Sequence, residues 1–379
     1  AGAGRRIGGQ TIPSELPSNF GYTLRQPLGV VACVTPWNFP VAIPTWKIAP
    51  ALVAGNTVVF KPATLTPATA VRIVEIFEQA GVPPGVLNLI LGSGSDAGDE
   101  IVGHLAVKAV SFTGSNPVGI RLYEQVSRRG AKCQCEMGGK NPVVILEDAD
   151  MDLAVENTAQ GAFGSTGQRC TATSRAIVVN QVADEFVERI AKRAQSMRLG
   201  DPTDPQTEIG PSVDENQLKT VLEYLNVGRE DGATLLCGGE RATGNGLDKG
   251  YFVRPTVFDH VTNDMRIARE EIFGPVLGVI RVKDFEEAMQ VANDTEYGLS
   301  SAIFTNDAAR IFRFVDEIET GMTHINSPTT GGEAHIPFGG IKGTGIGDRE
   351  QGSTALDFYT ELKVVYVDYT GRKREGNLY

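Results

Sequence analysis

The chain has 379 residues, of which 41% are hydrophobic and 21% are charged, and it carries a net charge of −11. This length predicts two domains of a soluble globular protein, and the acidic charge argues against nucleic acid as a partner. The longest apolar runs are too short to span a membrane, and the opening residues lack the apolar core of a signal peptide. We therefore expect a cytoplasmic protein that binds neither nucleic acid nor membrane.

Two stretches at opposite ends of the chain favour strands without a neighbour in sequence. They are "PSNFGYTLRQPLGV" near the start and "TELKVVYVDYT" near the end. An unpaired apolar edge strand is prone to aggregation unless another chain covers it. The sequence therefore predicts oligomerisation strands within residues 7–28 and 362–371, and a homodimer or homotetramer.

Strand and helix signals alternate from Thr57 onwards. Short β-branched runs alternate with helical segments, of which the first has Thr66 as its expected N-cap, Pro67 in its first turn and Gly81 as its C-cap. This alternation predicts right-handed crossovers between parallel strands. Residues 29–138 are therefore expected to form a nucleotide-binding-like α/β domain.

The pattern restarts after Gly139, which indicates a second domain over residues 139–345. A buried strand, "NPVVILEDAD", precedes a helix, and further strand and helix signals follow on both sides of the Pro- and Gly-rich connection at 198–211. The fold class is therefore α/β, with two domains built on parallel sheets and a small β element for oligomerisation.

Two glycine-rich turns are candidates for phosphate binding. "GSGSDAG" at 92–98 and "FTGSNPVG" at 112–119 each follow a strand, and the second opens a helix with free N–H groups. Neither matches the Rossmann fingerprint, and each is equally explained as a tight turn between strand and helix. Their occurrence on adjacent crossovers favours a nucleotide. "GTGIGDREQG" at 343–352 is expected to be a loop, because no strand closely precedes it.

Three other polar positions have both a structural and a chemical explanation. Asn38 is held between Pro36 and Pro40, in either a rigid turn or a fixed amide donor for an oxyanion. Glu136 follows a predicted strand, where it is either a solvated strand end or a base. Glu271 and Phe273 are two residues apart and would lie on one side of an extended segment. The ordinary explanation is an exposed charged side chain beside a buried aromatic ring.

Cys170 has unusual neighbours for a structural cysteine. In "FGSTGQRCTATSR" it is surrounded by small, hydroxylated and cationic residues, whereas buried structural cysteines usually have aliphatic neighbours. An odd total of five cysteines argues against a disulfide framework. Cys133 and Cys135 share one face of a strand, but neither they nor the scattered histidines have zinc-ligand spacing, so no metal site is predicted. Packing, redox chemistry and nucleophilic attack remain open for Cys170.

The motifs "PWNFP", "KPA", "FTGS", "EMGGKNP", "GQRC", "EEIFGP" and "PFGGIKGTGIG" occur in one order along the chain. In this order and spacing the chain resembles the aldehyde dehydrogenase superfamily over essentially its whole length. The resemblance implies a Rossmann-like cofactor domain, a catalytic domain, and oxidation of a small-molecule aldehyde with NAD or NADP. Family members usually carry a substantial N-terminal segment before the part present here.

The resemblance also implies roles for individual residues. Cys170 matches the nucleophile, Glu136 the general base and Asn38 the oxyanion donor. The implied cofactor-binding residues are Pro36, Trp37, Lys61, Thr64, Gly94, Gly98, Gly114, Ser115, Val118, Met137, Glu271 and Phe273. A hydrolase that uses Cys170 and Glu136 without cofactor is an alternative, but it would leave the two glycine-rich turns without a purpose. A scaffold without catalysis is a second alternative, against which both Cys170 and Glu136 argue.

The implied substrate is an aldehyde that carries a carboxylate. "GQRCTATSR" and "HINSPTTGGEAHIPFGG" resemble the branch acting on semialdehydes of dicarboxylic acids, particularly α-ketoglutarate semialdehyde. Arg169 or Arg175 is a candidate partner for the distal carboxylate, although a structural ion pair is the commoner explanation for either one. NAD-preferring members often have a glutamate where this chain has Thr64. Its absence removes a repulsion toward the 2′-phosphate, so we expect NADP to be tolerated.

Overall fold

Two mainly parallel sheets and a small antiparallel sheet organise the computed structural model, which describes residues 2–371. A 3₁₀ turn, Gly2–Arg6, precedes strands β1 (Thr11–Pro13) and β2 (Asn19–Pro27). The first domain then contains β3 (Val30–Val34), α1 (Ala42–Val53), β4 (Thr57–Lys61), α2 (Pro67–Gln79), β5 (Leu87–Leu89), α3 (Asp99–Gly103), β6 (Val107–Thr113), α4 (Asn116–Ser127) and β7 (Lys132–Glu136).

The second domain is larger and repeats the alternation of strands and helices. It contains β8 (Asn141–Ile145), α5 (Met151–Phe163), β9 (Thr173–Val179), α6 (Asn180–Ser196), α7 (Glu215–Glu230), β10 (Thr234–Cys237), β11 (Thr256–Asp259), α8 (Arg266–Arg269), β12 (Val276–Val282), α9 (Phe285–Asn293), β13 (Tyr297–Gly298), β14 (Ser300–Phe304), α10 (Ala308–Glu317) and β15 (Met322–Ile325). The chain ends with β16 (Ile341–Lys342), β17 (Gly345–Ile346), α11 (Ala355–Phe358) and β18 (Thr360–Asp368).

The first sheet has the order β17-β7-β6-β3-β4-β5, and its strands are parallel except β17. The β-branched residues of β3 and β4 alternate into apolar clusters on the two faces of the sheet, as a doubly covered parallel sheet requires. The alternation of strands and helices was predicted to begin at Thr57, in β4, so β3 was not part of the prediction. In the structure β3 lies at the centre of the sheet, between β6 and β4. Because β3, β6 and β7 are adjacent or near-adjacent, the residues that follow them share one edge.

The segment predicted as a loop at 343–352 contains a strand. Gly345 pairs with Glu136 and Ile346 with Cys135, so β17 covers the edge of β7 in the antiparallel direction. The loop prediction is wrong here because the chain returns from the second domain to the first sheet. The predicted domain limit at residue 345 falls within this strand.

The second sheet has the order β10-β11-β12-β9-β8-β14-β15, and only β10 runs antiparallel to its neighbour. Aspartate side chains cap the N-termini of several helices around it, as Asp150 does for α5 and Asp214 for α7. No element is predicted from the sequence between 212 and 284, where α7, β10, β11 and β12 lie. Two of these strands have only four residues, too few to show a reliable period.

The two end strands pair with each other within the chain, which corrects the expectation that each lacks an internal partner. β18 runs antiparallel to β2 over nine residues, and β1 covers the other side of β2. Pairing between segments more than 300 residues apart is invisible to local patterns. Apolar side chains remain exposed on this small sheet, including Ile12, Leu362, Val364 and Tyr366.

Within residues 2–371, no helix is both long and apolar enough to cross a membrane.

Candidate active site

Cys170 lies in a sharply bent segment between α5 and β9. Ser165 and Thr166 both have left-handed backbone angles, with φ of 52° and 60°, a costly conformation for residues other than glycine. Gly167 also has positive φ, and a Cβ there would lie 2.1 Å from the carbonyl oxygen of Gly274. The segment is therefore locked against the loop at 270–275, and this contact sets the position of Cys170.

The Cys170 thiol is half-buried and faces acidic groups. Burial, with the negative charges of Glu271 and Glu136, raises the pKa of Cys170 to about 12, and the backbone N–H of Thr171 opposes this rise. The thiol is therefore protonated at neutral pH in this arrangement. A nucleophilic role requires a group that removes the proton or a change in the surrounding charges.

Glu136 lies at the end of β7 and is 3% exposed. Its pKa is raised well above the usual value, first by burial and then by the negative charge of Glu350, while Lys47, Arg349 and the N–H of Gly340 lower it. The Gly340 nitrogen lies 3.3 Å from Glu136 Oε2. A carboxyl group with a raised pKa can exchange protons close to neutral pH, as a general base requires.

A buried ion pair between Lys47 and Glu350 lies beside Glu136. Lys47 Nζ also donates to Ser111 Oγ at 2.9 Å, and Ser111 donates to Gln134 Oε1 at 3.0 Å. This pair is not predicted from the sequence, because its partners are 303 residues apart. The only local signal was a lysine within an otherwise apolar stretch of α1.

Asn38 is tied to the segment that carries the nucleophile. Its Nδ2 donates to the carbonyl oxygen of Gln168 at 3.1 Å, and its Oδ1 is buried without a hydrogen-bond partner among the described residues. Trp37 packs edge-on against Phe273, with ring centroids 5.6 Å apart. The "PWNFP" turn therefore contacts both the Cys170 segment and the loop at 270–275.

A cavity of about 470 Å³ opens at the carboxyl ends of β3 and β6 and reaches Cys170. Most of the predicted cofactor residues line it, together with two residues of α7 that were not predicted, Gln217 and Thr220. Its lining includes Pro36, Trp37, Asn38, Gly114, Ser115, Val118, Met137, Cys170, Gln217, Thr220, Glu271 and Phe273. Ser115 precedes α4 without a side-chain cap, so the first N–H groups of that helix are free for an anion.

Four of the predicted cofactor residues lie outside the lining of this cavity. Lys61 is buried at the end of β4, where its Nζ donates to the Pro62 carbonyl oxygen at 3.1 Å. Gly98 packs beside the Lys61 side chain, whereas Thr64 and Gly94 are exposed. Burial lowers the pKa of Lys61.

The loop that carries Glu271 and Phe273 is fixed by three hydrogen-bonding groups. The Gly139 N–H donates to Glu271 Oε1 at 3.0 Å, and Lys140 Nζ donates to the Glu270 carbonyl oxygen at 2.6 Å. Gln217 Nε2 donates to the carbonyl oxygens of Ile272 and Phe273, both at 3.0 Å. This support matters because Phe273 has a positive φ of 56°.

Lys140 is buried and Glu271 is half-buried, and each has an altered pKa. Burial raises the pKa of Glu271 to about 7, although the Gly139 N–H and Lys140 oppose the change. The pKa of Lys140 falls to about 7, because burial and the Arg175 charge outweigh the nearby glutamates.

A second cavity of about 300 Å³ also reaches Cys170. Phe39, Trp46 and Phe338 give it an aromatic wall, and Glu136 and Arg169 supply charge. Arg169 Nε donates to Ser165 Oγ at 2.9 Å, and no carboxylate within residues 2–371 forms an ion pair with Arg169. Its cation is therefore not neutralised by this part of the chain.

Arg175 does not belong to this site, which corrects the prediction that it meets a substrate carboxylate. Its side chain is fully buried, and the guanidinium donates to the carbonyl oxygens of Lys140, Val291 and Ala292 at 3.0 Å. These bonds tie β9 to β8 and α9. Arg175 is a structural residue because its donors are already occupied by backbone.

The described residues contain no group of three or more histidine, cysteine or acidic side chains arranged to hold a metal ion.

Comparison with known proteins confirms the family resemblance and the fold class. The model of the aldehyde dehydrogenase family matches residues 1–365. The chain is 48% identical over 367 residues to alpha-ketoglutaric semialdehyde dehydrogenase of Bacillus subtilis, covering 97% of this chain and 75% of that protein. It is 46% identical over 364 residues to 2,5-dioxopentanoate dehydrogenase of Saccharolobus solfataricus, with 95% and 75% covered.

The fold matches that of a solved enzyme structure. Betaine aldehyde dehydrogenase of Staphylococcus aureus in complex with NAD+ superposes with a TM-score of 0.96 at 37% sequence identity. The match covers 99% of this chain and 74% of that chain.

Proposed function

The chain belongs to the aldehyde dehydrogenase family, and from this premise we propose that it oxidises a dicarboxylic semialdehyde, such as α-ketoglutarate semialdehyde, to the carboxylic acid. NAD or NADP is the hydride acceptor in this proposal, and the intermediates are a thiohemiacetal and a thioester on Cys170. One observation carries it: Cys170 lines both a cavity bordered by the predicted cofactor residues and a cavity bordered by Arg169.

In this mechanism Cys170 attacks the aldehyde carbon after its proton has been removed. Charge then develops on the aldehyde oxygen, and the Asn38 amide and the Cys170 N–H are the proposed donors to it. NAD(P), when bound, accepts the hydride. Glu136 then removes a proton from water, which hydrolyses the thioester. The raised pKa of Glu136 fits a base that must take up and release a proton in each cycle.

The cofactor assignment is supported by the geometry of the larger cavity. Gly114, Ser115 and the free N-terminus of α4 are proposed to receive the pyrophosphate. Glu271 and Phe273 are proposed to hold the nicotinamide ribose and ring, and Lys61 the adenosine ribose. The similar Staphylococcus aureus structure contains NAD+. Thr64 is exposed and uncharged, which supports tolerance of NADP.

The substrate class is supported by Arg169 and by the relatives. Arg169 lines the smaller cavity together with Cys170 and is not paired with any described carboxylate. A guanidinium binds a carboxylate through two parallel hydrogen bonds. Two relatives in the comparison are named for α-ketoglutarate semialdehyde and 2,5-dioxopentanoate.

Assembly as a homodimer or homotetramer is a further part of the proposal. The exposed apolar residues of the sheet formed by β1, β2 and β18 support it, since contiguous apolar surface marks contact sites. A cytoplasmic location stays a prediction.

The test measures reduction of NAD+ and NADP+ by absorbance, with α-ketoglutarate semialdehyde and a neutral aldehyde of equal length. We expect Cys170→Ala to abolish reduction. We expect Arg169→Gln to raise the KM for the semialdehyde by about 10- to 100-fold, as loss of a charged hydrogen bond implies, and to leave the neutral aldehyde unaffected. The matched control is Arg128→Gln, an exposed arginine outside the cavities.

Two results would overturn parts of the proposal separately. Cofactor reduction that survives in Cys170→Ala would remove the dehydrogenase mechanism. Equal kcat/KM values for the semialdehyde and the neutral aldehyde would refute the proposed preference for a semialdehyde. The proposed oxidation of aldehydes would still stand.

A further inference from the structure

Strand β7 carries two thiols that the proposed reaction does not use. Cys133 and Cys135 point to the same face of the strand, and their Sγ atoms are 3.6 Å apart. Cys133 is half-buried and therefore reachable from solvent, whereas Cys135 is fully buried. The pair lies on the face that packs against α4, where Cys135 Sγ is 3.6 Å from the Gly119 carbonyl oxygen.

A cation with two unsatisfied donors lies beside this pair. Arg129 follows α4 and donates through Nη1 to the Val107 carbonyl oxygen, but its buried Nε and Nη2 have no hydrogen-bond partner among the described residues. Buried donors of this kind are costly unless an acceptor or an anion is present. A thiolate at Cys133 would supply the missing negative charge.

The two thiols differ in their tendency to ionise. The pKa of Cys133 is lowered, first by the hydrogen bond with Cys135 and then by the charges of Lys47 and Arg129, although burial opposes this. The pKa of Cys135 is raised by the same hydrogen bond and by burial. A thiolate is the reactive form, so the more accessible member of the pair, Cys133, is the expected nucleophile.

We propose that Cys133 and Cys135 form a dithiol site that reduces a hydroperoxide and closes to a disulfide. The Cys133 thiolate attacks the terminal oxygen of the hydroperoxide, so that an S–O bond forms, the O–O bond breaks and the alkoxide leaves as an alcohol after taking a proton from solvent. The Cys135 thiol then attacks the sulfenic sulfur, an S–S bond forms, and hydroxide leaves with the Cys135 proton as water. Two thiols are oxidised and one hydroperoxide is reduced by two electrons.

Closing this disulfide requires a local change in β7. Residues i and i+2 of a strand have Cα atoms about 6.6 Å apart, close to the upper end of the range of about 4.4–6.8 Å for disulfides. The intervening Gln134 is 1% exposed, and its Oε1 accepts the 3.0 Å hydrogen bond from Ser111. Glu136 is the next residue after Cys135. Oxidation is therefore expected to displace the base and slow turnover.

The chemical test treats the full chain carrying Cys170→Ala with hydrogen peroxide and maps its cysteines by mass spectrometry. We expect the peptide with both thiols to lose two hydrogen atoms and to resist alkylation until dithiothreitol is added. Cys33 and Cys237, which are buried singly, are expected to stay alkylatable after denaturation. An undiminished peptide mass, or equal oxidation of Cys33 and Cys237, would overturn the proposal.

Single variants in the same background test the order of the steps. Cys135→Ala should accumulate a sulfenic acid at Cys133 that dimedone traps, whereas Cys133→Ala should leave Cys135 reduced. Arg129→Met should slow the oxidation several-fold, with Arg128→Met as the matched control. Trapping at Cys135 but not at Cys133 would contradict the assigned roles.

The effect on turnover is measured with Cys170 intact. The wild-type chain and Cys133→Ala/Cys135→Ala are treated with peroxide, and the peroxide is then removed with catalase. A loss of activity that is equal in the wild type and the double variant is attributed to oxidation of Cys170. We expect the wild type to lose several-fold more activity, recovered with dithiothreitol. Equal losses would show that the disulfide does not act on Glu136.

Discussion

Cys170 faces two carboxylates, an arrangement that opposes formation of its thiolate. Glu271 and Glu136 both raise its pKa, with Glu271 the larger of the two. In the proposed mechanism the same residues hold the cofactor and activate water. The site therefore keeps its nucleophile protonated until a proton acceptor or a positive charge acts on it, which limits reaction of the thiol with other electrophiles.

We predict that Glu271→Gln lowers the pKa of Cys170, because it removes the nearby negative charge that contributes most. The midpoint of the pH profile for alkylation of Cys170 by iodoacetamide should move to lower pH by about 1 unit, as loss of one close charge implies. Glu270→Gln is the matched control, since Glu270 is bound to Arg266 and Tyr224 instead. Coincident profiles for Glu271→Gln and the wild type would contradict this account of the thiol.

The substitution Glu136→Gln tests whether the Glu136 carboxyl group is the base that activates water. We expect kcat to fall by about 10²- to 10⁴-fold, with a single burst of cofactor reduction because the thioester forms but is not hydrolysed. In the wild type, kcat should rise with pH as Glu136 loses its proton. Rapid-mixing absorbance measurements would show the burst, and a steady-state rate equal to that of the wild type would remove Glu136 as the base.

The same variant is expected to be more stable at alkaline pH. The pKa of Glu136 is higher in the folded chain than its usual value. Its contribution to stability is therefore fully present below the pKa of the unfolded chain and is lost as pH rises through the folded pKa. The midpoint of thermal unfolding should fall less between pH 5 and pH 9 in Glu136→Gln than in the wild type. Glu78→Gln, at an exposed position, is the control.

At the scale of elements, α7 holds a strained loop in the shape of the cavity wall. Gln217 is the link, because one amide nitrogen binds two successive carbonyl oxygens of the loop that carries Phe273. We predict that Gln217→Ala raises the KM for the cofactor by about 10-fold, consistent with the loss of one to two hydrogen bonds. The neighbouring Asn216→Ala is the control for helix propensity. Identical cofactor KM values for the two variants would contradict this role.

The short motifs of the sequence come together in the fold around the Cys170 segment, and the catalytic roles implied for them stay predictions. Asn38 lies after β3 and Glu136 ends β7, and parallel strands bring residues at their carboxyl ends to one edge of the sheet. Sequence reasoning failed where a contact depends on distant packing. The Lys47–Glu350 pair has one local signal, the lysine in apolar α1, and Gln217 and the return of β17 have none. Arg175 was misassigned because a buried guanidinium and a ligand-binding one look alike in sequence.

At the scale of the whole molecule, the site is built from both sheets. β7 supplies Glu136, the segment after α5 supplies Cys170, and β17 returns from the second domain to cover the edge of β7. The cavities that meet at Cys170 are therefore lined by residues from both domains. Separate domains would each lack part of the proposed machinery.

The sheet of β1, β2 and β18 presents an apolar surface whose energetics favour assembly. Leu362, Val364 and Tyr366 alternate along β18 on one face and are 56%, 51% and 76% exposed. Burying such side chains contributes roughly 1.5–3 kcal/mol each, whereas a buried lysine would cost more than it gains. We predict that Leu362→Lys/Tyr366→Lys shifts the protein to a smaller species in sedimentation experiments. Leu105→Lys, at a 76% exposed leucine on the first domain, should leave assembly unchanged.

The comparison between these variants decides whether this sheet is the contact surface. A smaller species for the double variant alone places the contact on β18, because both substitutions add the same charge to an exposed apolar position. Dissociation by Leu105→Lys as well would point to charge repulsion of the whole particle rather than to a defined face. A monomeric wild type would mean that the exposed residues of β18 serve something other than self-association.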